Sequence, residues 1–182
     1  MKIKLVESNN ELEQILELQN DNHYENIPPD LKNKNGFVTV RHNLELLLKM
    51  NDKAKQIIAV ENGKVIGYAL VMLKKFRNLI PVLVPMFDNF EDTRYKNSKL
   101  SNFNYYVMGQ VCISEKHRGK GIFKSLYLKH REIYSSQFEL CLTEVSSSNL
   151  ISMKAHQKVG FKTISTFKDS TDEWNILAWD WK

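Results

Sequence analysis

The spacing of apolar and polar positions follows one period and then another along this chain. Lys2 to Val6 alternates and predicts a first strand. Ser8 or Asn9 then caps a helix running to about Asn20, with Leu12, Ile15, Leu16 and Leu18 on its apolar side. Residues 21–36 are polar and carry the pair Pro28-Pro29, which predicts a loop or a partly helical insert. Val40 to Met50 predicts a second amphipathic helix, with Leu44, Leu47 and Leu48 a turn apart.

The period then shortens. Gln56 to Val60 predicts a strand, Glu61-Asn62-Gly63-Lys64 a hairpin turn, and Val65 to Leu73 its partner strand. Residues 74–102 form a long mixed segment with Pro81, Pro85 and an acidic patch (Asp88, Glu91, Asp92); connections of this length are usually functional or mobile. Tyr105 to Ile113 predicts a strand, Gly121 to about Ser135 a helix, and Phe138 to Val145 another strand. Ser146-Ser147-Ser148-Asn149 leads into a helix ending at Lys158. Phe161 to Phe167 and Trp174 to Trp181 close the chain as an antiparallel pair of strands, the last being either a dimer edge or interior. The order is β-α-α-β-β-β-α-β-α-β-β, without repeat or linker, so a single domain over 1–182 is expected.

Composition narrows the classes. The 182 residues are 42% hydrophobic and 26% charged, enough for a sizeable core, which excludes a disordered chain and a disulfide-stapled mini-protein. Cys112 and Cys141 lie in apolar runs and are expected as reduced thiols. The N-terminus lacks a signal-peptide core and no apolar run is long enough to span a bilayer, so the expected compartment is the cytoplasm, with no membrane partner. The five histidines never recur at a metal-ligand spacing and there is no CxxC, so no metal is expected.

Charge adds a question. The net charge is +5, and all of it falls in the second half: residues 1–91 carry 12 cations and 12 acids, residues 92–182 carry 14 and 9. Six cations without an intervening acid lie between Lys116 and Arg131 (Lys116, Arg118, Lys120, Lys124, Lys129, Arg131). Such a cluster suits nucleic acid, a membrane surface or one small polyanion. It surrounds a glycine-spaced loop, Arg118-Gly119-Lys120-Gly121, between a strand and a helix. There backbone N–H groups of the loop and the first helical turn can point at phosphate oxygens. The loop lacks the GxxxxGK[ST] of a Walker A motif, and Lys124 stands where GxGxxG needs its third glycine. An exposed turn that needs glycine only for geometry is the alternative reading.

The sequence resembles the GCN5-related N-acetyltransferases. Arg118-Gly119-Lys120-Gly121-Ile122-Phe123 matches their [Q/R]-x-x-G-x-[G/A] signature except at Phe123, where a small residue is usual. Asn149 to Phe161 (NLISMKAHQKVGF) fits their second element, N-x-x-[A/S]-x-x-x-[Y/H]-x-K-x-G-F, throughout. The element order is also theirs. The resemblance implies a mixed α/β fold of three layers, α-β-α, around a mostly antiparallel sheet splayed between its fourth and fifth strands. In such proteins acetyl-CoA lies in the opening between those strands.

The same resemblance implies roles for individual residues. The pantetheine arm pairs with the backbone of Val111, Cys112 and Ile113; the pyrophosphate sits on Arg118, Gly119, Lys120, Gly121, Ile122, Phe123 and Lys124. Asn149 bonds the pantetheine amide, and Ser152 faces the same cofactor. Read on its own, Asn149 is also a plain helix N-cap. His156 stands where the family more often has the Tyr that protonates the leaving thiolate; read alone, it packs beside Phe161 or bonds a carbonyl. By the same resemblance the N–H of Val111 is the expected oxyanion donor, Glu144 the candidate base, and Gln110 a group able to orient water or substrate.

Other residues carry open alternatives. Gly109 marks a bulge near substrate or a tolerated small residue. Tyr105 and Tyr106 are wall or core, and Cys112 is a buried hydrophobe rather than a nucleophile. Acceptor choice is expected from residues 21–36 (Asp21, Glu25, Asp30) and 74–102 (Asp88, Glu91, Asp92, with Phe76, Phe87, Phe90 and Tyr95 as an apolar wall), unless those acids are solvated loop charge. The expected activity is acetyl-CoA-dependent N-acetylation of a small-molecule or peptide amine. The alternatives are a non-catalytic acyl-CoA sensor and, lacking a recognisable module, a nucleic-acid-binding domain; a homodimer is compatible with the pattern.

Overall fold

The computed structural model describes residues 1–28 and 36–182. Among the described residues, nine strands and five α-helices follow one another in chain order. They are β1 (Lys2–Leu5), α1 (Asn9–Asp21), α2 (Leu44–Lys53), β2 (Ile57–Glu61), β3 (Lys64–Met72), α3 (Val84–Asp92), β4 (Arg94–Tyr95), β5 (Ser98–Lys99), β6 (Tyr105–Ile113), α4 (Ile122–Tyr134), β7 (Leu140–Ser146), α5 (Leu150–Val159), β8 (Lys162–Lys168) and β9 (Glu173–Asp180). Seven strands form a mixed sheet in the order β1-β2-β3-β6-β7-β9-β8, and β4 and β5 make a small separate hairpin.

The chain divides into two compact units, Met1–Met72 with Met108–Ile133, and Leu73–Val107 with Tyr134–Lys182. In the first, β1 pairs antiparallel with β2 and β2 with β3. Helix α1 starts at a capping box: Ser8 Oγ accepts the Glu11 N–H at 3.3 Å, and Glu11 Oε2 accepts the Ser8 N–H at 3.2 Å. Its buried residues are Leu12, Ile15, Leu18 and Gln19. A Cβ added to Gly67 would meet Ile113 and Ile122 of α4, whereas its neighbour Tyr68 bonds Gln110 on the side of α1. Successive strand residues face opposite ways, so α1 and α4 cover opposite faces of the sheet. Within this unit that is the α-β-α layering the family resemblance implies.

In the second unit β7 runs parallel to β6 over three pairs, Tyr105–Leu140, Tyr106–Cys141 and Val107–Leu142, and antiparallel to β9 along its whole length. The β6–β7 register ends there although β6 continues to Ile113 and β7 to Ser146. Strand β9 is therefore interior, flanked by β7 and β8, which removes the dimer-edge reading of Trp174 to Trp181. Tyr106 packs on Tyr134, Phe138 and Trp181, with centroids 5.2–5.8 Å apart.

Two segments differ from the sequence expectation. The second helix begins four residues late, at Leu44, because Asn43 caps it by accepting the Leu46 N–H at 2.8 Å; it buries Leu46, Leu47 and Met50 and leaves Leu48 exposed. Residues 74–102 are largely ordered secondary structure rather than loop. Pro85 lies in the first turn of α3, where a missing N–H costs nothing, so it starts the helix instead of breaking it.

Candidate active site

The basic loop sits in the first unit, where β6 hands over to α4. Ser114 N–H bonds Ile66 O at 2.9 Å, one turn follows over Glu115–His117, and Arg118 ends it. Gly119 and Gly121 have φ of 75° and 78°, while Lys120 between them does not share the positive sign. That alternation turns successive N–H groups toward one side, the arrangement that binds anions. Nothing lies within 4 Å of a Cβ built at either glycine, so the backbone conformation itself requires them.

Arg118 anchors the loop. Its Nε donates to Ile113 O at 3.1 Å and its Nη2 to Asn22 Oδ1 at 2.5 Å. Asn22 caps the C-terminal end of α1, where a cation is favourable. The Nη1 of Arg118 is buried without a hydrogen-bond partner among the described residues, a donor suited to a phosphate oxygen. Lys116, Lys120 and Lys124 are exposed around it. The Phe123 ring lies on Tyr127, with centroids 4.9 Å apart.

On β6, Cys112 is buried and its thiol is pushed up to about 12, chiefly by burial, in keeping with a small hydrophobe and not a nucleophile. The Ile113 carbonyl accepts from Arg118 Nε. Gly109 answers to packing: a Cβ there would come within 3.2 Å of Met72 Cβ. Gln110 is held on both sides. Its Oε1 accepts from Gln19 Nε2 at 2.7 Å and Tyr68 OH at 2.6 Å, and its Nε2 donates to Val40 O at 2.8 Å. It is a structural bridge rather than a group turned toward water.

The second unit holds Glu144, Asn149, Ser152 and His156. Glu144 stands opposite Ile176 on β7, with Oε2 buried and unpartnered among the described residues. Burial, reinforced by the negative charge of Asp169, pushes its carboxyl up to about 7. Such a group changes protonation state near neutral pH, which suits a general base. Asn149 is the N-cap of α5; its Oδ1 accepts the Ser152 N–H at 3.1 Å, so the cap reading uses only its oxygen.

His156 is 2% exposed, with its ring edge on Phe161 at 5.2 Å. Its Nδ1 lies 2.8 Å from Ser152 O; a carbonyl only accepts, so the proton is on Nδ1. Burial lowers its pKa to about 4. The imidazole is therefore neutral near pH 7, with its one proton committed to a backbone carbonyl. The geometry does not support the general-acid role expected for it.

Four of the acids expected to hold an amine are paired with cations. Arg77 pairs with both Asp88 and Glu91, Lys99 with Asp92 at 3.5 Å, and Arg41 with Glu25 at 3.0 Å. Asp30 lies outside the described residues. Phe76, Phe87 and Phe90 are buried core, Tyr95 bonds Asp180 at 2.8 Å and packs on Phe103, and Tyr105 and Tyr106 are core as well. Sequence reasoning passed over Gln19, His42 and Tyr68. The available signal was Gln19 itself, a polar residue in phase with Leu12, Ile15 and Leu18.

Residues 12–161 match the Acetyltransferase (GNAT) family. The chain belongs to the GNAT acetyltransferases. No curated protein matches it. Among solved structures, a ribosomal-protein-alanine N-acetyltransferase from Brucella melitensis is 15% identical, with a TM-score of 0.65 and 100% of each chain covered. An N-acetyltransferase from Staphylococcus aureus Mu50 is 17% identical, with a TM-score of 0.65 over 98% of this chain and 97% of that one. The NatC complex bound to Gag peptide and CoA is 12% identical, with a TM-score of 0.67 over 100% of both. At such identities the likeness establishes the GNAT fold. No described helix of this GNAT chain is long and apolar enough to cross a membrane, and no three described His, Cys, Asp or Glu residues are placed to hold a metal.

Proposed function

We propose that this GNAT protein transfers an acetyl group from acetyl-CoA directly to the amine of a small molecule or peptide, in the cytoplasm. The observation that carries the reading is the loop around Gly119 and Gly121, with its alternating φ and the unpartnered Nη1 of Arg118. That arrangement fits a pyrophosphate. In this reading Lys116, Lys120 and Lys124 offset the remaining phosphate charge. The backbone of Val111 and Cys112 takes the pantetheine arm, and Asn149 and Ser152 bond its amides.

An ammonium cannot attack a thioester, so the first task is to remove a proton. Glu144 does this, directly or through a water, as a carboxylate whose affinity for protons is already raised. The free amine then adds to the thioester carbonyl. The charge that builds on its oxygen is met by the Val111 N–H; the C–S bond breaks to release thiolate, and the second proton of the amine, lost as the amide forms, passes to that thiolate. A thiol of ordinary pKa near ~8.5 leaves readily without an acid. His156 accordingly acts by holding the first turns of α5 in place through Ser152. Of the proteins alike in fold, one is named for N-acetylation of a ribosomal-protein alanine and another was solved with a peptide and CoA, which supports an amine of peptide type.

Calorimetric titration with acetyl-CoA tests the reading. Saturable one-to-one binding in the micromolar range is expected; no binding below millimolar concentration would sink it.

A further inference from the structure

The first unit buries a polar chain of four side chains whose hydrogen-bond directions are fixed at both ends by the backbone. At one end the Val40 carbonyl must accept, so Gln110 presents Nε2 to it at 2.8 Å and turns Oε1 inward. That oxygen accepts from Tyr68 OH and from Gln19 Nε2. At the other end the His42 N–H must donate, and Gln19 Oε1 accepts it at 2.8 Å. Gln19 is thereby oriented, and the second hydrogen of its Nε2 points to His42 Nδ1 at 2.9 Å. A nitrogen that accepts carries no proton, so the hydrogen of this imidazole is on Nε2.

That Nε2 is buried and has no partner among the described residues, in a side chain only 8% exposed. Burial drives the pKa of His42 down to about 4, so the ring stays neutral at physiological pH. It is a fixed N–H donor and not a proton shuttle. Buried donors are rarely left unsatisfied, and one that is points to a missing partner. The partner must offer a lone pair, which a carbonyl oxygen or a buried water supplies. An ammonium cannot serve, since it only donates. One amide group, that of Gln19, separates the ring from Gln110, the residue just before Val111.

We propose that the Nε2–H of His42 binds an amide carbonyl oxygen of the acceptor, so that the enzyme selects amines bearing a carbonyl beside the reacting nitrogen, as a peptide N-terminus does. This rests on the acetyltransferase reading above. It names what the acceptor must carry besides its amine, and assigns the contact to a residue outside both sequence motifs.

The test compares alanyl-alanine amide with sec-butylamine, an oxygen-free amine, by CoA thiol release. Wild-type protein is expected to favour the dipeptide amide by about tenfold or more in kcat/KM. His42→Phe should bring the two close to parity while leaving the acetyl-CoA Kd unchanged. Equal slowing of both amines by the substitution, or no preference in the wild type, overturns the proposal. So does wild-type protein that binds acetyl-CoA and acetylates neither probe. Failure to bind acetyl-CoA would instead strike the underlying function.

Because His42→Phe can disturb the buried chain, the wild type is also followed by long-range 1H–15N spectra. The His42 Nε2 signal should appear protonated and move on adding alanyl-alanine amide in the presence of CoA, but not on adding sec-butylamine. An unmoved signal overturns the assignment.

Discussion

Replacing Glu144 by Gln should stabilise the protein and disable it at once. Glu144 is held with its carboxyl at about 7 instead of the ordinary 4.5. At ~1.4 kcal/mol per pH unit, that rise corresponds to about 3 kcal/mol, reduced to about 2 kcal/mol for its partial exposure. Because the folded-state pKa is raised, the group costs nothing below pH 4.5, where both states hold the proton. Its cost grows as pH rises from 4.5 to about 7 and is constant above. Gln keeps the shape without the charge, so Glu144→Gln is expected to gain about 2 kcal/mol at pH 8. At ~2–4 °C per kcal/mol for a chain of this size, Tm rises by about 4–8 °C, and most of the gain is gone at pH 5. Thermal melts of both proteins at the two pH values measure the difference. A gain that is the same at pH 5 and pH 8, or a loss at pH 8, refutes the placement of a strained carboxylate there. In parallel, wild-type kcat/KM should rise through a single ionisation near 7. The variant should lose that limb and about 100-fold or more in rate, without weakened acetyl-CoA binding.

Gly160→Ala should cost at least about 1–3 kcal/mol in urea unfolding, since φ is 123° there and a Cβ would lie 2.9 Å from Trp179 Nε1; an unchanged midpoint contradicts this. Arg118→Lys, which cannot reach Ile113 O and Asn22 Oδ1 together, should weaken CoA binding about tenfold by calorimetry, and unaltered affinity would remove Arg118 from the phosphate site. Burial depresses the pKa of His42, His130 and His156 to about 4, 3 and 4, so their stabilising neutrality is complete above pH 6.5 and lost as pH falls toward those values. Urea midpoints should therefore drop steeply between pH 6.5 and 4, with a slope of about 1.4 kcal/mol per pH unit for each proton taken up; a flat profile there contradicts their burial as neutral rings.

The residues that were readable in the sequence are those whose local chemistry decides their structure. Ser8, offered beside Asn9, and Asn149 announce helix starts by their residue type, and both form caps. The Tyr105–Ile113 strand has the bounds its apolar run predicts. Helix α3 was hidden because Pro85 looks like a breaker unless its place in the first turn is known. The roles of Asp88, Glu91 and Asp92 depended on Arg77 and Lys99, partners whose approach no local spacing encodes. The same holds for Gln110, whose three bonds reach residues 42, 70 and 91 positions away. Motif register located His156, but only its burial and its bond to Ser152 O mark it as a neutral ring whose Nδ1 proton is held by a backbone carbonyl.

Acetyl transfer to an amine can be measured directly. Purified protein is incubated with acetyl-CoA and a panel of peptide and small-molecule amines, and thiol release is followed together with the mass of the acetylated product. The expected result is thiol release matched one for one by an N-acetylated amine, and its loss in Glu144→Gln. Saturable acetyl-CoA binding with no thiol release on any amine would contradict the transferase reading, leaving a binder of the cofactor and not an enzyme.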